Sequence, residues 1–217
     1  NTTPSETTAT PDSRAEVALN WLHTARFLTT APQLNHLPAL DVPEIAFVGR
    51  SNAGKSTSIN TLTQTRRMAF ASKTPGRTQS INLFSLGHHG ETDAVLADLP
   101  GYGYAAVPGR VKQGWQKMIE GYLLDREELV NVFVLVDGEI GPTKLDVQML
   151  TWLRASEIPH TVVATKHDKV KSAKRATRKK DLAAGCMLEP GDIVWVSASK
   201  GVGIEQLRSL VYSHLTL

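Results

Sequence analysis

The chain has 217 residues, of which 41% are hydrophobic, with a formal net charge of +3 and one cysteine. This length allows one full domain with its own core and leaves little room for a second. The single cysteine excludes an intrachain disulfide, and the sequence has neither a signal-peptide pattern nor an apolar run long enough to span a bilayer. We therefore expect a monomeric cytoplasmic protein with no membrane partner.

The start of the chain differs in composition from the rest. Residues 1–14 are rich in Thr, Ser and Pro, which predicts a disordered tail. We expect residues 15–217 to form a single domain that begins with a short amphipathic segment, Ala15–Phe27.

From residue 44 onward, apolar strand patterns alternate with helix patterns. The predicted strands are Glu44–Val48, Ser80–Leu86, Asp93–Asp98, Asn131–Val136, Thr161–Ala164 and Ile193–Val196. The predicted helices are Lys55–Gln64, Val111–Leu124, Thr143–Ala155, Val170–Ala184 and Ile204–Leu215. This alternation predicts a doubly wound α/β sheet that is mostly parallel, with one antiparallel edge strand from the hairpin at Gly87–Gly90.

The segment Gly49–Ser56 fits the phosphate-loop pattern G-x-x-x-x-G-K-[ST] without a mismatch. Backbone N–H groups around Ala53 to Ser56 can converge on a β-phosphate, and Lys55 can bridge β- and γ-phosphate oxygens. The Ser56 hydroxyl is a hard oxygen ligand suited to Mg²⁺. The alternative is a Gly/Ser-rich turn that matches by chance, which the strand before it and the helix after it disfavour.

A second motif, D-x-x-G, ends the predicted strand at Asp98–Gly101. Asp98 can hold a water bound to Mg²⁺, and the Gly101 N–H can sense a γ-phosphate. Taken alone, the segment could equally be a strand-terminal Asp before a Pro-Gly turn. Its position downstream of the phosphate loop favours the nucleotide function.

The segments that follow two later predicted strands indicate that the base of the bound nucleotide is guanine. The carboxylate of Asp168, in the segment Thr165–Asp168, can accept two parallel hydrogen bonds from N1–H and the exocyclic amine of guanine, a donor pair that adenine lacks. The aliphatic stem of Lys166 can cover a base face, and a backbone N–H near Ala198, in Ser197–Lys200, can meet the guanine oxygen. The alternative for Asp168 is a helix N-cap.

Together these motifs resemble the EngB (YihA/YsxC) family of bacterial GTPases, in the group that contains TrmE, Era, EngA and septin-like GTPases. The matching segments are GRSNAGKST at Gly49–Thr57, TPGRTQ at Thr74–Gln79, DLPGYGYA at Asp98–Ala105, TKHDK at Thr165–Lys169 and SASK at Ser197–Lys200. The segment from Phe27-Leu28 through Ala31-Pro32-Gln33 to Leu37-Pro38 also resembles the N-terminal segment of the family. The resemblance extends from Phe27 to the end of the chain.

The resemblance implies a three-layer P-loop GTPase, or G domain, that hydrolyses GTP to GDP and phosphate during assembly of the large ribosomal subunit, with a link to cell division and septation. It implies that Thr78 is a switch threonine that binds Mg²⁺ directly, as Ser56 does, while Asp98 acts through water. The nucleotide-binding residues expected on this basis are Gly49, Arg50, Ser51, Asn52, Ala53, Gly54, Lys55, Ser56, Thr57, Gly76, Arg77, Thr78, Gln79, Ser80, Asp98, Leu99, Pro100, Gly101, Thr165, Lys166, His167, Asp168, Val196, Ser197 and Ala198.

Hydrolysis needs charge stabilisation, which Lys55 and Mg²⁺ supply, and a positioned water. In many GTPases a Gln after D-x-x-G orients that water, whereas this chain has Tyr102 there. We therefore predict slow intrinsic hydrolysis that a partner or a monovalent cation accelerates. Asn52 either binds K⁺ through its side-chain carbonyl or only tightens the loop. Arg77 and Arg110 are either arginine fingers in cis or exposed loop residues.

Basic side chains crowd the segment that follows Asp168. A stripe of one charge sign attracts phosphate backbones, which favours contact with ribosomal RNA over an ordinary solvated helix face. The candidate RNA-binding residues are Lys171, Lys174, Arg175, Arg178, Lys179 and Lys180. An alternative function is a GTP-gated RNA-binding assembly factor in which hydrolysis is incidental. A small-molecule kinase has the same phosphate loop but does not explain Thr165–Asp168.

Overall fold

The structure is a computed structural model that describes residues 11–66, 68–69, 80–103 and 109–217. Its strands are β1 (Arg26–Ala31), β2 (Glu44–Gly49), β3 (Ile81–Leu86), β4 (Ala94–Asp98), β5 (Leu129–Asp137), β6 (His160–Thr165) and β7 (Ile193–Trp195). Its α-helices are α1 (Pro11–Leu22), α2 (Lys55–Leu62), α3 (Gly109–Asp125), α4 (Lys144–Ala155), α5 (Arg175–Gly185) and α6 (Ile204–Thr216). Short 3₁₀ turns lie at Leu34–His36, His167–Lys169, Ser172–Lys174 and Pro190–Asp192.

The strands form one seven-stranded sheet in the order β1-β3-β4-β2-β5-β6-β7. All neighbours from β4 to β7 are parallel, and only β3 runs antiparallel to both of its neighbours. The predicted doubly wound α/β fold is therefore confirmed. The antiparallel strand lies one place in from the edge, because β1, which the sequence analysis did not identify as a strand, pairs with its outer side.

Helices cover both faces of the sheet and make three layers. On one face α3, α4 and α5 contribute buried apolar side chains such as Ile119, Leu150 and Leu182. On the other face α1, α2 and α6 contribute side chains such as Leu22 and Ile59. Because β2 is buried along all six of its residues, its carboxyl end holds the loop that follows in a fixed position.

The element boundaries near the start of the chain differ from the predictions. Helix α1 begins at Pro11, inside the segment predicted as a tail, because its end packs on α6 through the rings of Trp21 and Tyr212, whose centroids are 5.4 Å apart. The amphipathic segment was predicted to continue to Phe27; this end is wrong, since strand β1 begins at Arg26. The predicted disorder of residues 1–10 lies outside the described residues.

The basic helix begins later than predicted. Lys171 has a non-helical backbone, with φ −56° and ψ 136°, a 3₁₀ turn follows it, and α5 starts at Arg175 rather than at Val170. By contrast, the predicted start of the preceding helix at Thr143 is confirmed, because Thr143 is the N-cap of α4 and forms a capping box with Asp146. None of the helices in the described ranges combines the length and the hydropathy that a membrane span requires.

Candidate nucleotide-binding site

The phosphate loop connects the carboxyl end of β2 to α2. Gly49 is closely packed, since a Cβ there would lie 3.0 Å from the carbonyl oxygen of Leu135. Gly54 has a φ of +91°, a left-handed conformation that glycine adopts without strain, and α2 begins at the next residue, Lys55. The sequence therefore places a helix N-terminus directly beyond the sheet edge.

The first turn of α2 presents backbone donors at this edge. Within the described part of the chain, the N–H groups of Gly54, Lys55 and Ser56 have no protein acceptor, as the geometry of a helix start dictates. The Ala53 N–H, predicted to join them, instead donates to the carbonyl oxygen of Arg50 at 3.0 Å. The three remaining donors form a cradle of the kind that binds phosphate.

The Lys55 ammonium contacts the Oδ1 atom of Asp98, the buried carboxylate that ends β4. Burial lowers the pKa of Lys55 from 10.5 to about 7, while the neighbouring carboxylate favours the charged form of the amine. The fold thus brings together the predicted phosphate lysine and the predicted magnesium carboxylate, which are 43 residues apart in the chain.

The D-x-x-G segment lies directly against the phosphate loop. Tyr102 N–H donates to the carbonyl oxygen of Gly49 at 3.2 Å, and Ser51 N–H donates to the carbonyl oxygen of Tyr102 at 2.7 Å. A Cβ on Gly101 would lie 3.5 Å from the Ser51 nitrogen. The backbone of Gly101 is therefore positioned next to the phosphate cradle.

The side chain of Tyr102 points away from this cradle. Its hydroxyl donates to Asp146 Oδ1, on the first turn of α4, at 2.6 Å. Burial, and secondarily the negative charge of Asp146, raises the pKa of Tyr102 well above 10.0. Sequence reasoning noted that Tyr102 has no amide but missed its partner.

The predicted base-recognition segment is joined to the phosphate loop. Thr165 Oγ1 donates to the carbonyl oxygen of Ala53 at 2.5 Å and is also 3.3 Å from the carbonyl oxygen of Val136. Gly54 lies against the same side chain, since a Cβ at Gly54 would be 3.5 Å from that of Thr165. The two predicted loops therefore form one continuous site.

Asp168 is held by the second base loop. The buried Ser197 hydroxyl donates to Asp168 Oδ1 at 2.7 Å, and this hydrogen bond lowers the pKa of the carboxyl. Ser197 is itself fixed by the N–H of Lys200 at 3.2 Å. Because one hydrogen bond uses only part of the acceptor capacity of an ionised carboxylate, Asp168 can still accept the paired donors of guanine.

Lys166 is oriented by a residue that the sequence analysis did not select. Its Nζ atom lies 2.6 Å from Asp137 Oδ2, at the end of β5, and its backbone has a left-handed φ of 59°. The other oxygen of Asp137 accepts the Glu139 N–H at 2.9 Å. Gly138 is required beside it, because a Cβ there would overlap the carbonyl oxygen of Thr165. The sequence feature that could have identified Asp137 is the Asp-Gly pair at the end of a predicted strand.

The remaining predicted site residues fall into three groups. Gly76, Arg77, Thr78 and Gln79 lie outside the described residues, and Ser80 directly precedes β3. Thr57 directly follows the cradle residue Ser56, whereas Leu99 and Pro100 are the two middle residues of D-x-x-G, and the Leu99 N–H donates to the carbonyl oxygen of Phe47 at 3.2 Å. His167 N–H donates to the carbonyl oxygen of Val196 at 3.1 Å, and Ala198 is half-buried one residue after Ser197.

Two further candidates lie in exposed positions. Asn52 is exposed at the tip of the phosphate loop, with a left-handed φ of 66° that Asn tolerates better than most residues. Arg110 is exposed at the start of α3.

The parallel sheet, the phosphate loop before α2 and the two joined base loops define a P-loop GTPase. Residues 44–166 match the family model described as a 50S ribosome-binding GTPase. The chain is 56% identical over 209 residues to the probable GTP-binding protein EngB of Polaromonas sp., covering 94% of this chain and 84% of that protein. It is 54% identical to the probable GTP-binding protein EngB of Albidiferax ferrireducens, covering 90% of this chain and 95% of that protein. The chain therefore belongs to the EngB family.

Solved structures agree with this assignment. The crystal structure of a probable GTP-binding protein EngB has a TM-score of 0.64 and 26% identity, covering 79% of this chain and 98% of that one. Era from Aquifex aeolicus, bound to GDP and AlF₄⁻, shares the fold, with a TM-score of 0.64 and 23% identity over 82% of this chain and 58% of that one. The protein is thus a GTPase that binds guanine nucleotides.

Proposed function

We propose that this GTPase is a nucleotide-controlled switch in assembly of the large ribosomal subunit, where it binds ribosomal RNA of the immature particle. Two observations support the proposal: the matching family is described as 50S ribosome-binding, and a basic surface adjoins the guanine loop. The second observation carries the argument, because it links the nucleotide site to a surface suited to RNA. Such a protein works in the cytoplasm, where ribosomes are assembled.

The structure divides the predicted basic stripe into two parts. Lys171, Lys174 and Lys180 are exposed. Arg175, Arg178 and Lys179 are half-buried, and Arg175 Nε donates to the carbonyl oxygen of Val170 at 3.0 Å. The three exposed lysines are the residues we assign to RNA phosphates, since their ammonium groups are free to exchange counterions for phosphate oxygens.

The half-buried part of the stripe reaches the guanine loop. Burial, followed by the positive charges of Arg175 and Lys179, lowers the pKa of His167, which lies between Lys166 and Asp168. Charges on α5 are therefore close enough to act on the base-recognition segment. Particle binding through the basic segment that includes α5 can thus respond to the presence of nucleotide.

We further propose that Mg²⁺ binds with the nucleotide. The donor set fits a hard cation, because the Ser56 hydroxyl stands on the first turn of α2 and the buried Asp98 carboxylate ends β4 near Lys55. Ser56 and Thr78 would hold the ion directly and Asp98 through water; Thr78 lies outside the described residues. When bound, the ion neutralises charge on the phosphate oxygens.

We propose that intrinsic hydrolysis is slow. The described residues supply charge stabilisation through Lys55 and the cradle amides, whereas Tyr102, which follows D-x-x-G, is bonded to Asp146 and offers no amide for the attacking water. K⁺ at the exposed side chain of Asn52 can supply additional positive charge. We expect the wild-type protein to hydrolyse GTP faster in K⁺ than in Na⁺. Asn52→Ala should abolish this difference. Equal hydrolysis rates of the wild type in the two salts would remove Asn52 from the mechanism.

The same orientation of Tyr102 favours a second function, a GTP-gated RNA-binding factor for which hydrolysis is incidental. A variant that binds GTP but does not hydrolyse it separates the two functions. If it still completes subunit assembly in a depleted strain, hydrolysis is incidental; if it stalls on immature particles, the switch function holds.

Sedimentation with large-subunit precursors tests the RNA surface. Lys171→Glu/Lys174→Glu should weaken association and reduce the slope of log affinity against log salt by about 2. The matched control, Lys112→Glu/Lys117→Glu, changes the charge equally at exposed positions of α3. Equal loss in both variants would show a general charge effect and would exclude this surface.

A further inference from the structure

One buried tryptophan contacts both turns of the predicted base site. Trp195 is the last residue of β7 and is 8% exposed. Its backbone pairs with Ala164 near the end of β6, and the next residue, Val196, accepts the His167 N–H at 3.1 Å. The segment that leads from β6 to Asp168 is therefore bonded to the end of β7.

The six-membered ring of Trp195 lies in the space that a side chain at position 138 would need. A Cβ on Gly138 would be 2.5 Å from Cζ3 and 3.1 Å from Cη2 of the indole. Gly138 follows Asp137, whose Oδ2 atom is 2.6 Å from the Nζ atom of Lys166. The indole thus packs against the turn that orients the Lys166 side chain.

The second ring against the indole is that of His167. The two ring centroids are 5.8 Å apart and the ring planes are inclined at 73°, which is an edge-to-face contact. His167 lies between Lys166 and Asp168 in the chain. One indole therefore contacts both the turn that holds Lys166 and the immediate neighbour of Asp168.

The indole nitrogen shows that core packing alone does not explain a tryptophan at this position. The Nε1 atom of Trp195 is buried, and the described residues offer it no hydrogen-bond acceptor. A buried donor without an acceptor destabilises the folded state, and phenylalanine would fill a core without that cost. The larger indole, however, reaches both Gly138 and His167.

We propose that Trp195 is a positioning residue for guanine recognition, which holds the segment Lys166–Asp168 in place through its contacts with Gly138 and His167. The inference rests on the assignment of the Asp168 carboxylate to the exocyclic amine of guanine. It does not require a role in ribosome assembly. Trp195 acts on the base through this segment, so its loss should change how well the site distinguishes bases.

Inosine diphosphate (IDP) measures this discrimination, because its base keeps the N1–H of guanine but lacks the exocyclic amine. The ratio of GDP affinity to IDP affinity reports how well Asp168 accepts from that amine, whereas a general loss of stability does not change it. In titration calorimetry we expect Trp195→Phe to lower this ratio roughly three- to tenfold, as the weakening of one hydrogen bond predicts.

The chain offers a matched control in Trp21. This residue is also 8% exposed and also packs edge-to-face on a ring, that of Tyr212. Because Trp21 packs in the core on the opposite face of the sheet from Trp195, Trp21→Phe should leave the ratio unchanged. His167→Ala removes the half-buried ring on the other side of the contact, and it should lower the ratio as Trp195→Phe does.

Two results would overturn the inference: an unchanged ratio in both Trp195→Phe and His167→Ala, or an equal fall in Trp21→Phe. A wild-type protein that binds GDP and IDP equally would refute the assignment of Asp168 to the amine, and the inference with it. The role in ribosome assembly fails separately, in the sedimentation experiment, whatever the ratio of the two affinities.

Discussion

The hydroxyl of Thr165 donates a hydrogen bond to the carbonyl oxygen of Ala53, 112 residues earlier in the chain. Thr165 ends the strand that leads into the guanine loop, and Ala53 lies in the phosphate loop. This buried contact therefore links the part of the site assigned to the base to the part assigned to the phosphates.

Thr165→Val should weaken binding of GDP and GTP equally, because the Ala53 carbonyl loses its partner while the shape of the side chain is kept. The expected loss is about 1 to 2 kcal/mol of binding free energy, measured by calorimetry. Thr161→Val is the matched control, since Thr161 lies on the same strand and bonds to Asn131, away from the site. A loss of similar size in the control would contradict the role assigned to the Thr165 contact.

Asp137 should prove important for nucleotide affinity although it lies outside the phosphate cradle. Asp137→Ala frees the Lys166 side chain and removes the acceptor of the Glu139 N–H, so we expect a loss of about 1 kcal/mol. Asp137→Asn keeps the turn but removes the charge opposite Lys166, and its effect should be smaller. Fluorescent GDP displacement measures both, and wild-type affinity in Asp137→Ala would refute the assignment.

Binding of nucleotide should take up a proton at Lys55. Without nucleotide the pKa of this amine is lowered by burial to about 7, and phosphate oxygens raise it. Below pH 7 the amine is charged in both states, so its contribution to affinity is constant. Above pH 7 the free protein must gain a proton to bind, so affinity falls as pH rises toward the pKa of the bound state.

Calorimetry at pH 8 in two buffers that differ in ionisation enthalpy measures this uptake. We expect about one proton per GDP for the wild type and nearly none for Lys55→Gln. Equal uptake by the two proteins would assign the proton to another group.

A buried ion pair at the opposite end of β2 should govern stability rather than binding. Glu44 is fully buried and accepts two hydrogen bonds from Arg126, at 2.7 and 2.9 Å, as well as the one from Tyr122. Arg126→Met leaves an uncompensated buried carboxylate, which should lower the free energy of unfolding by about 3 to 5 kcal/mol. Urea denaturation measures the loss, and GDP affinity should stay unchanged. A stability loss below 1 kcal/mol would mean that Glu44 finds another partner.

The residues that could be identified from the sequence are those whose chemistry is contained in one short segment. The phosphate loop carries its strand, glycines, lysine and helix within about twenty residues, so its position followed directly from the pattern. The alternation of strands and helices likewise determined the doubly wound sheet. The start of α4 was found because Thr143 and Asp146 are close in sequence.

The contacts that were missed depend on topology or on irregular backbone. Tyr102 and Asp146 are 44 residues apart, and Lys166 and Asp137 are 29 apart, so only the sheet order brings each pair together. Strand β1 escaped notice because a bulge after Phe27 interrupts its pairing and because two of its apolar residues are exposed.

The most direct test of the account is the base specificity of Asp168. We predict that the wild-type protein binds GDP and not ADP, and that Asp168→Asn loses GDP but gains xanthosine diphosphate, because an amide N–H can donate to the carbonyl that xanthine carries in place of the guanine amine. Binding of ADP as tight as that of GDP, or unchanged GDP affinity in Asp168→Asn, would contradict the assignment of this carboxylate to the base.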